Sequence, residues 1–288
     1  MASPSTARAE AAAGNPPPIS LRGWSRVTAR AAGLIGLLLI CVPLHYIWKS
    51  TRAGSPWPRI FLGAAGRVTG ARVSRSGTPL RRDVVFIANH VSWIDILAIA
   101  GSSGSAFVAK AELRMAPVVG WLCTLNRTVF VSREDRMGVA DQINRLKDAI
   151  AETWSITVFP EGTTTDGRSL LPFKSPLLRV LEPPPPGVLV QPLMLDYGHV
   201  GPEIGWIGAE RGKDNALRVL ARRGSFRVRT FYLEPFDPRD YIGRKAIAAE
   251  ARGRIEAALE DVIGAPVPPF VGHDWWRERR WASESVAL

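Results

Sequence analysis

From residue 83 onward the chain alternates short apolar runs with amphipathic stretches, and this alternation limits the fold more than any other feature. The runs at 83–89 (DVVFIAN), 106–110 (AFVAK), 128–132 (TVFVS), 155–159 (SITVF), 188–198 (VLVQPLMLDYG) and 227–236 (RVRTFYLEPF) read as strands. Between them, residues 92–100 (SWIDILAIA) and 111–125 read as helices, the second broken at Pro117. Residues 135–154 set Val139, Ile143, Leu146 and Ile150 on one helical face, and residues 242–263 do the same with Ile247, Ala251, Ile255 and Leu259. Strand and helix in turn predict an α/β domain over residues 71–265, a mostly parallel central sheet flanked by helices. A chain of 288 residues, 46% hydrophobic and 22% charged, is long and apolar enough to bury such a core.

The N-terminal part reads differently. Residues 1–20 are rich in Ala, Ser and Pro, show no helical or strand period, and are expected to form a disordered leader. Arg22, Arg26 and Arg30 then precede an uncharged run, residues 31–48, closed by Lys49 and Arg52. About 18 residues is the lower limit for crossing a bilayer. No small-residue cleavage site follows, so a removable signal peptide does not fit. A buried core helix is the plainer alternative, but Trp24, Trp48 and Trp57 flank the run as amphipathic rings do at a headgroup boundary. Residues 21–70 are therefore expected to form a membrane-attached helical segment. Pro43 favours a kink or a re-entrant turn, and residues 51–70 suit a second, amphipathic helix at the interface. Basic residues on both flanks leave the orientation open. A tail over residues 266–288 sets Trp275, Trp276 and Trp281 among arginines.

Lysine and arginine (37) exceed aspartate and glutamate (26) by 11, so an anionic partner is expected: a membrane surface, phosphorylated small molecules or nucleic acid. Nucleic acid has only the charge in its favour, since no stacking platform of aromatic residues is evident. A basic membrane- or nucleic-acid-binding protein without catalysis is the alternative of another class. Two cysteines, Cys41 and Cys123, are too few for a disulfide framework or a cysteine-based zinc site, and no metal is expected. There is no Walker A loop and no Gly-x-Gly-x-x-Gly after a strand. The sequence GSSGS at 101–105 misses the register of a serine hydrolase's nucleophile elbow.

Two loops carry the candidate chemistry. The first, Asn89-His90-Val91-Ser92-Trp93-Ile94-Asp95, lies where a buried strand gives way to a helix, the edge at which sheets of this class hold their sites. Five residues along a helix is about 500°, so His90 and Asp95 cannot meet as helical neighbours. They can meet if His90 sits in the turn before the helix and Asp95 reaches back from its first turn, fixing the imidazole tautomer. The spacing Ser92-x-x-Asp95 also suits a capping box, a role compatible with the first. The second loop, Phe159-Pro160-Glu161-Gly162-Thr163-Thr164-Thr165-Asp166-Gly167, again follows a buried strand and could bind a polar headgroup through side chains and backbone amides. Its plainer reading is a turn cornered at Asp166-Gly167.

NHVSWID and FPEGT, in this order and about seventy residues apart, together resemble the glycerophospholipid acyltransferase family, whose best-known member acylates 1-acyl-glycerol-3-phosphate. Lys110-Ala111-Glu112-Leu113 with Pro117 and Gly120, Phe130-Val131-Ser132-Arg133, and Val190-Gln191-Pro192-Leu193 resemble further segments of that family, and the resemblance covers about residues 83–197. It implies acyl transfer to the free hydroxyl of a lysolipid in membrane lipid biosynthesis, with acyl-CoA or acyl carrier protein as donor substrate and no cofactor. It implies His90 as general base and Asp95 as its partner. Arg133, Glu161 and Gly162 would position the acceptor, with Asn89, Ser92, Lys110, Thr163 and Thr164 completing the substrate-binding set. Catalysis is expected on the cytoplasmic face of the inner membrane, because thioester donors are made there. Thr164 stands where the family usually has an arginine implicated in phosphate binding, and a hydroxyl makes no bidentate phosphate contact. The run TTTDGRSLLPFKS is also similar to a branch that finishes ornithine lipids, whose lysolipid acceptor lacks phosphate, so the acceptor stays open between the two.

Overall fold

A computed structural model describes residues 4–51, 54–131 and 155–270 of the chain. Seven strands form one sheet: β1 (Ala71–Ser76), β2 (Val84–Ala88), β3 (Ala106–Lys110), β4 (Val129–Val131), β5 (Ser155–Val158), β6 (Leu189–Asp196) and β7 (Phe226–Tyr232). Their spatial order is β1-β7-β6-β2-β5-β3-β4. The five strands from β6 to β4 are mutually parallel, while β7 runs antiparallel to β6 and β1 follows β7 in parallel. The mostly parallel sheet flanked by helices is therefore present, with an opposed pair at one edge.

The alternation of side chains along β2 divides the core. Val84, Phe86 and Ala88 point to one face, where they meet Ile94, Ala98 and Ile99 of α4 (Ile94–Ser103). Val85 and Ile87 point to the other, toward the long helix that spans Gly243–Ile263 and carries Ile247, Ala248 and Ala251. All five β2 residues are fully buried, which is why this strand reads as an unbroken apolar run. The parallel order brings the C-terminal ends of β6, β2 and β5 side by side at one edge.

Four features depart from the expectations above or lie beyond them. The leader is not unstructured throughout: Pro4–Ala12 forms α1, whose Arg8 donates to Glu210 at 3.1 Å and to the Gly205 carbonyl at 2.9 Å. Its alanine-rich composition favours a helix, and the ion pair docks it. Pro43 neither breaks nor turns back the apolar segment, because α2 runs without interruption over Leu21–Lys49. An isolated proline removes one amide from the helical ladder, which a helix this long tolerates. Edge strand β1 and a helix at Gly212–Ala221 lie in segments without a clear apolar period. The helix expected at 135–154, Arg133 and the aromatic tail from 271 onward lie outside the described residues.

α2 is long and apolar enough to cross a membrane, with a mean hydropathy of 2.0 and 11% of its apolar window buried. Residues 51–70 supply the expected second helix, α3 (Trp57–Thr69), closed by Gly70 in the left-handed region at φ 103°. α3 packs against both α2 and α4. Its Gly63 lies so near Gly101 of α4 that a Cβ on Gly101 would sit 2.6 Å from the Gly63 Cα.

Candidate active site

Helix α4 begins at Ile94 and carries Asp95 in its first turn, so the backbone of residues 90–93 wraps over the carboxylate. Asp95 is fully buried. Its Oδ2 accepts hydrogen bonds from the Val91 amide at 2.7 Å and the Ser92 amide at 3.0 Å, and lies 2.7 Å from His90 Nδ1. Its Oδ1 accepts from the Tyr197 hydroxyl. The same carboxylate thus accepts from the Ser92 amide, one half of the capping-box pattern, and contacts the imidazole. An ionised carboxylate only accepts, so Nδ1 carries the proton and Nε2 is the basic nitrogen. Burial, with Asp95 as hydrogen-bond partner and nearby charge, raises the Tyr197 phenol well above its ordinary range and keeps it a neutral donor.

The His90 ring stacks on Phe159, with centroids 4.1 Å apart and planes 18° from parallel. Its side chain is 20% exposed. One edge of the ring faces a sealed carboxylate and one face meets a phenyl ring.

The second loop clasps the first. Glu161 is fully buried; its Oε1 accepts from the His90 amide at 3.0 Å and its Oε2 from the Leu171 amide at 3.1 Å. Burial pushes this carboxyl up to about 8, against the pull of those two amides. The Thr165 amide donates to the His90 carbonyl at 2.8 Å. Thr164 donates its hydroxyl to the Trp206 carbonyl, and the Trp206 amide in turn donates to the Val91 carbonyl at 3.0 Å. Asn89 exchanges two bonds with Leu195 of β6, donating to its carbonyl at 3.0 Å and accepting from its amide at 2.7 Å.

Asn89, Ser92, Glu161 and Thr164 of the expected binding set are buried, and each makes a hydrogen bond within the protein. A loop leaving a sheet edge must satisfy its own backbone amides and carbonyls, and these four residues contribute to that. Gly162, at φ 70°, and Thr163 are half-buried at the turn of the second loop. Lys110 ends β3 at the same sheet edge. Phe159 and Tyr197 were not singled out beforehand. Each directly follows a buried strand that neighbours β2, and that placement is the one sequence sign of their role.

A parallel-sheet domain with a histidine held by a buried carboxylate at the carboxyl edge of its strands has the architecture of an α/β enzyme. The chain matches the family described as Acyltransferase over residues 67–196. It is 32% identical over 250 residues to a lyso-ornithine lipid O-acyltransferase of Pseudomonas aeruginosa, covering 81% of this chain and 93% of that one. It is 31% identical over 255 residues to a protein of the same description from Rhizobium meliloti, covering 83% and 87%. The chain therefore belongs to the acyltransferase family and is an acyltransferase. A 1-acyl-sn-glycerophosphate acyltransferase of Thermotoga maritima shares the fold, with a TM-score of 0.62 at 23% identity over 84% of this chain and 96% of that one.

Proposed function

We propose that this acyltransferase moves a fatty acyl group from a thioester to the free hydroxyl of a lyso-ornithine lipid, with His90 as general base. The observation that carries this reading is the 2.7 Å contact between His90 Nδ1 and the sealed Asp95 carboxylate, in a side chain that stays partly exposed. Nε2 takes the hydroxyl proton as the acceptor oxygen bonds to the thioester carbon. The tetrahedral intermediate then expels the thiolate by breaking its carbon–sulfur bond, and the imidazolium returns the proton to the sulfur. Asp95 stabilises the transient imidazolium, and Tyr197 and the two loop amides fix that carboxylate in direction. No protein nucleophile is needed, because the lipid hydroxyl attacks directly.

Two observations support a phosphate-free acceptor. Relatives described as lyso-ornithine lipid O-acyltransferases align over 81–85% of this chain, whereas a 1-acyl-sn-glycerol-3-phosphate acyltransferase of Neisseria gonorrhoeae aligns over 38% at 38% identity. Thr164, at the position of the arginine that the related pattern uses for phosphate, is turned toward the Trp206 carbonyl. The donor is acyl-CoA or acyl carrier protein, and α2 and α3 hold the enzyme to the cytoplasmic face of the inner membrane.

The test is an assay of the purified full-length protein in detergent with each donor against lyso-ornithine lipid and 1-acyl-glycerol-3-phosphate. Transfer to the ornithine acceptor at ten or more times the rate with the phosphate acceptor is expected. The reverse preference would overturn the acceptor assignment, and unimpaired turnover by His90→Ala would overturn the mechanism.

A further inference from the structure

The segment after β3 carries an apolar surface that no element among the described residues covers. It comprises a tight turn of helix, Ala111–Met115, and α5, Pro117–Leu125. Met115 is 82% exposed, Val118 58% and Val119 49%, and Leu113 and Trp121 are also exposed. Five large apolar side chains over nine residues exceed the scattered exposure ordinary at a soluble surface. The turn and α5 are folded closely together: a Cβ on Gly120 would sit 2.4 Å from the Arg114 carbonyl oxygen. This compactness gathers the exposed residues into one patch.

The neighbours of α5 indicate what covers that patch. Leu122 and Leu125 of α5 share a crevice with Leu38 and Val42 of α2 and Phe61 of α3. The exposed sides of α2 flanking this crevice present Ile35, Leu39 and Trp48, and α3 adds Ile60. The uncovered surface of α5 is thus continuous with the apolar side of the membrane helix. It also follows the C-terminal end of β3, the sheet edge at which β2 delivers His90.

We propose that α5 and its preceding turn are a second membrane-insertion element, entering the boundary between headgroups and acyl chains beside α2. An apolar helix lying in the interface binds through the area it buries, and Arg114 among these residues suits the anionic headgroup layer. Held by α2 and α3 alone, the domain could swivel about its anchor. A second contact on the catalytic edge fixes its tilt and turns the His90 loop toward the surface from which a lysolipid arrives. This rests on the reading that α2 meets the bilayer.

The experiment separates the two claims. Single cysteines at Val119, Leu39 and Ile242 are introduced into the full chain carrying Cys41→Ala and Cys123→Ala, then labelled with a polarity-sensitive fluorophore. The labelled proteins are reconstituted with phosphatidylethanolamine and phosphatidylglycerol vesicles containing doxyl-labelled lipid. Ile242 is 98% exposed and begins the closing helix beside the Arg244–Glu182 pair, at the opposite edge of the sheet. Blue-shifted emission and at least twofold quenching are expected at 39 and 119, with neither at 242. Quenching at 39 with water-like emission at 119 overturns the α5 assignment and leaves the anchor intact. Water-like emission at 39 overturns both, and equal quenching at 242 overturns a specific insertion edge. Because Val119 is exposed, its substitution leaves the core untouched, and unchanged melting of each labelled protein establishes that the fold is retained.

Discussion

The two loops at the carboxyl edge of the sheet look alike in sequence and do opposite things. Residues 89–95 and 159–167 each follow a buried strand, and each offers carboxylates, hydroxyls or amides at a sheet edge. The first leaves its imidazole partly exposed and turns its Asp95 carboxylate onto that ring and onto the Val91 and Ser92 amides. The second turns its glutamate and two of its threonines inward, onto the backbone of the first loop and of Trp206. A polar group near a reacting atom is thus not by itself a ligand-binding group. Where its lone pairs already accept backbone amides, it serves the shape of its neighbour.

Substitutions on either side test this contrast. His90→Ala should lower transfer by about a thousandfold, the scale of a lost general base, with the melting temperature nearly unchanged. A melting temperature that falls with activity would mean that His90 belongs to the structural set. Asp95→Asn should lower turnover by about a hundredfold and also destabilise the protein, since it places an amide NH2 among four donors. Steady-state rates and thermal melts on the same preparation separate the two losses.

Tyr197→Phe removes one hydrogen bond to a charged group, worth about 1.5–3 kcal/mol, so a rate loss of about tenfold is expected with KM for both substrates preserved. A rise in KM alone would make Tyr197 a substrate contact instead. Glu161→Gln should act mainly on stability. Its carboxyl, at about 8 when folded against 4.5 ordinarily, binds its proton more tightly in the folded state. The stability it contributes is full below 4.5 and is lost as pH rises toward 8. Melting temperature should therefore decline across that interval in the parent and stay flatter in Glu161→Gln; parallel profiles would refute the assignment. Thr164→Val should cost about 1 kcal/mol in denaturant melts and leave the choice between phosphate-bearing and phosphate-free acceptors unchanged.

Much of this was legible beforehand, for identifiable reasons. Strands β2 through β7 carry apolar runs that no solvent-facing segment would hold, and the meeting of His90 with Asp95 needed His90 in the turn before the helix, which is where it lies. α1 escaped notice because its docking depends on Glu210, some two hundred residues away. β1 escaped because only Ala71 among its residues is buried, so it has no alternation to show. The inward direction of Asn89, Glu161 and Thr164 was illegible for a related reason: their partners at Leu195, Leu171 and Trp206 are set by how strands and loops adjoin. Tyr197 reaches Asp95 only because β6 lies next to β2, an order that the chain direction does not reveal.

The near-touching glycines of α3 and α4 have a mechanical meaning. Gly63 belongs to the helix packed on the membrane segment, and Gly101 to the one whose opening turn grips the imidazole. With no side chain between them, tether and reaction centre are coupled backbone to backbone, without slack. On the reading that α2 meets the bilayer, this contact sets how high the imidazole stands above the lipid layer. A methyl group at Gly101, 2.6 Å from the Gly63 Cα, would act as a shim and change that height.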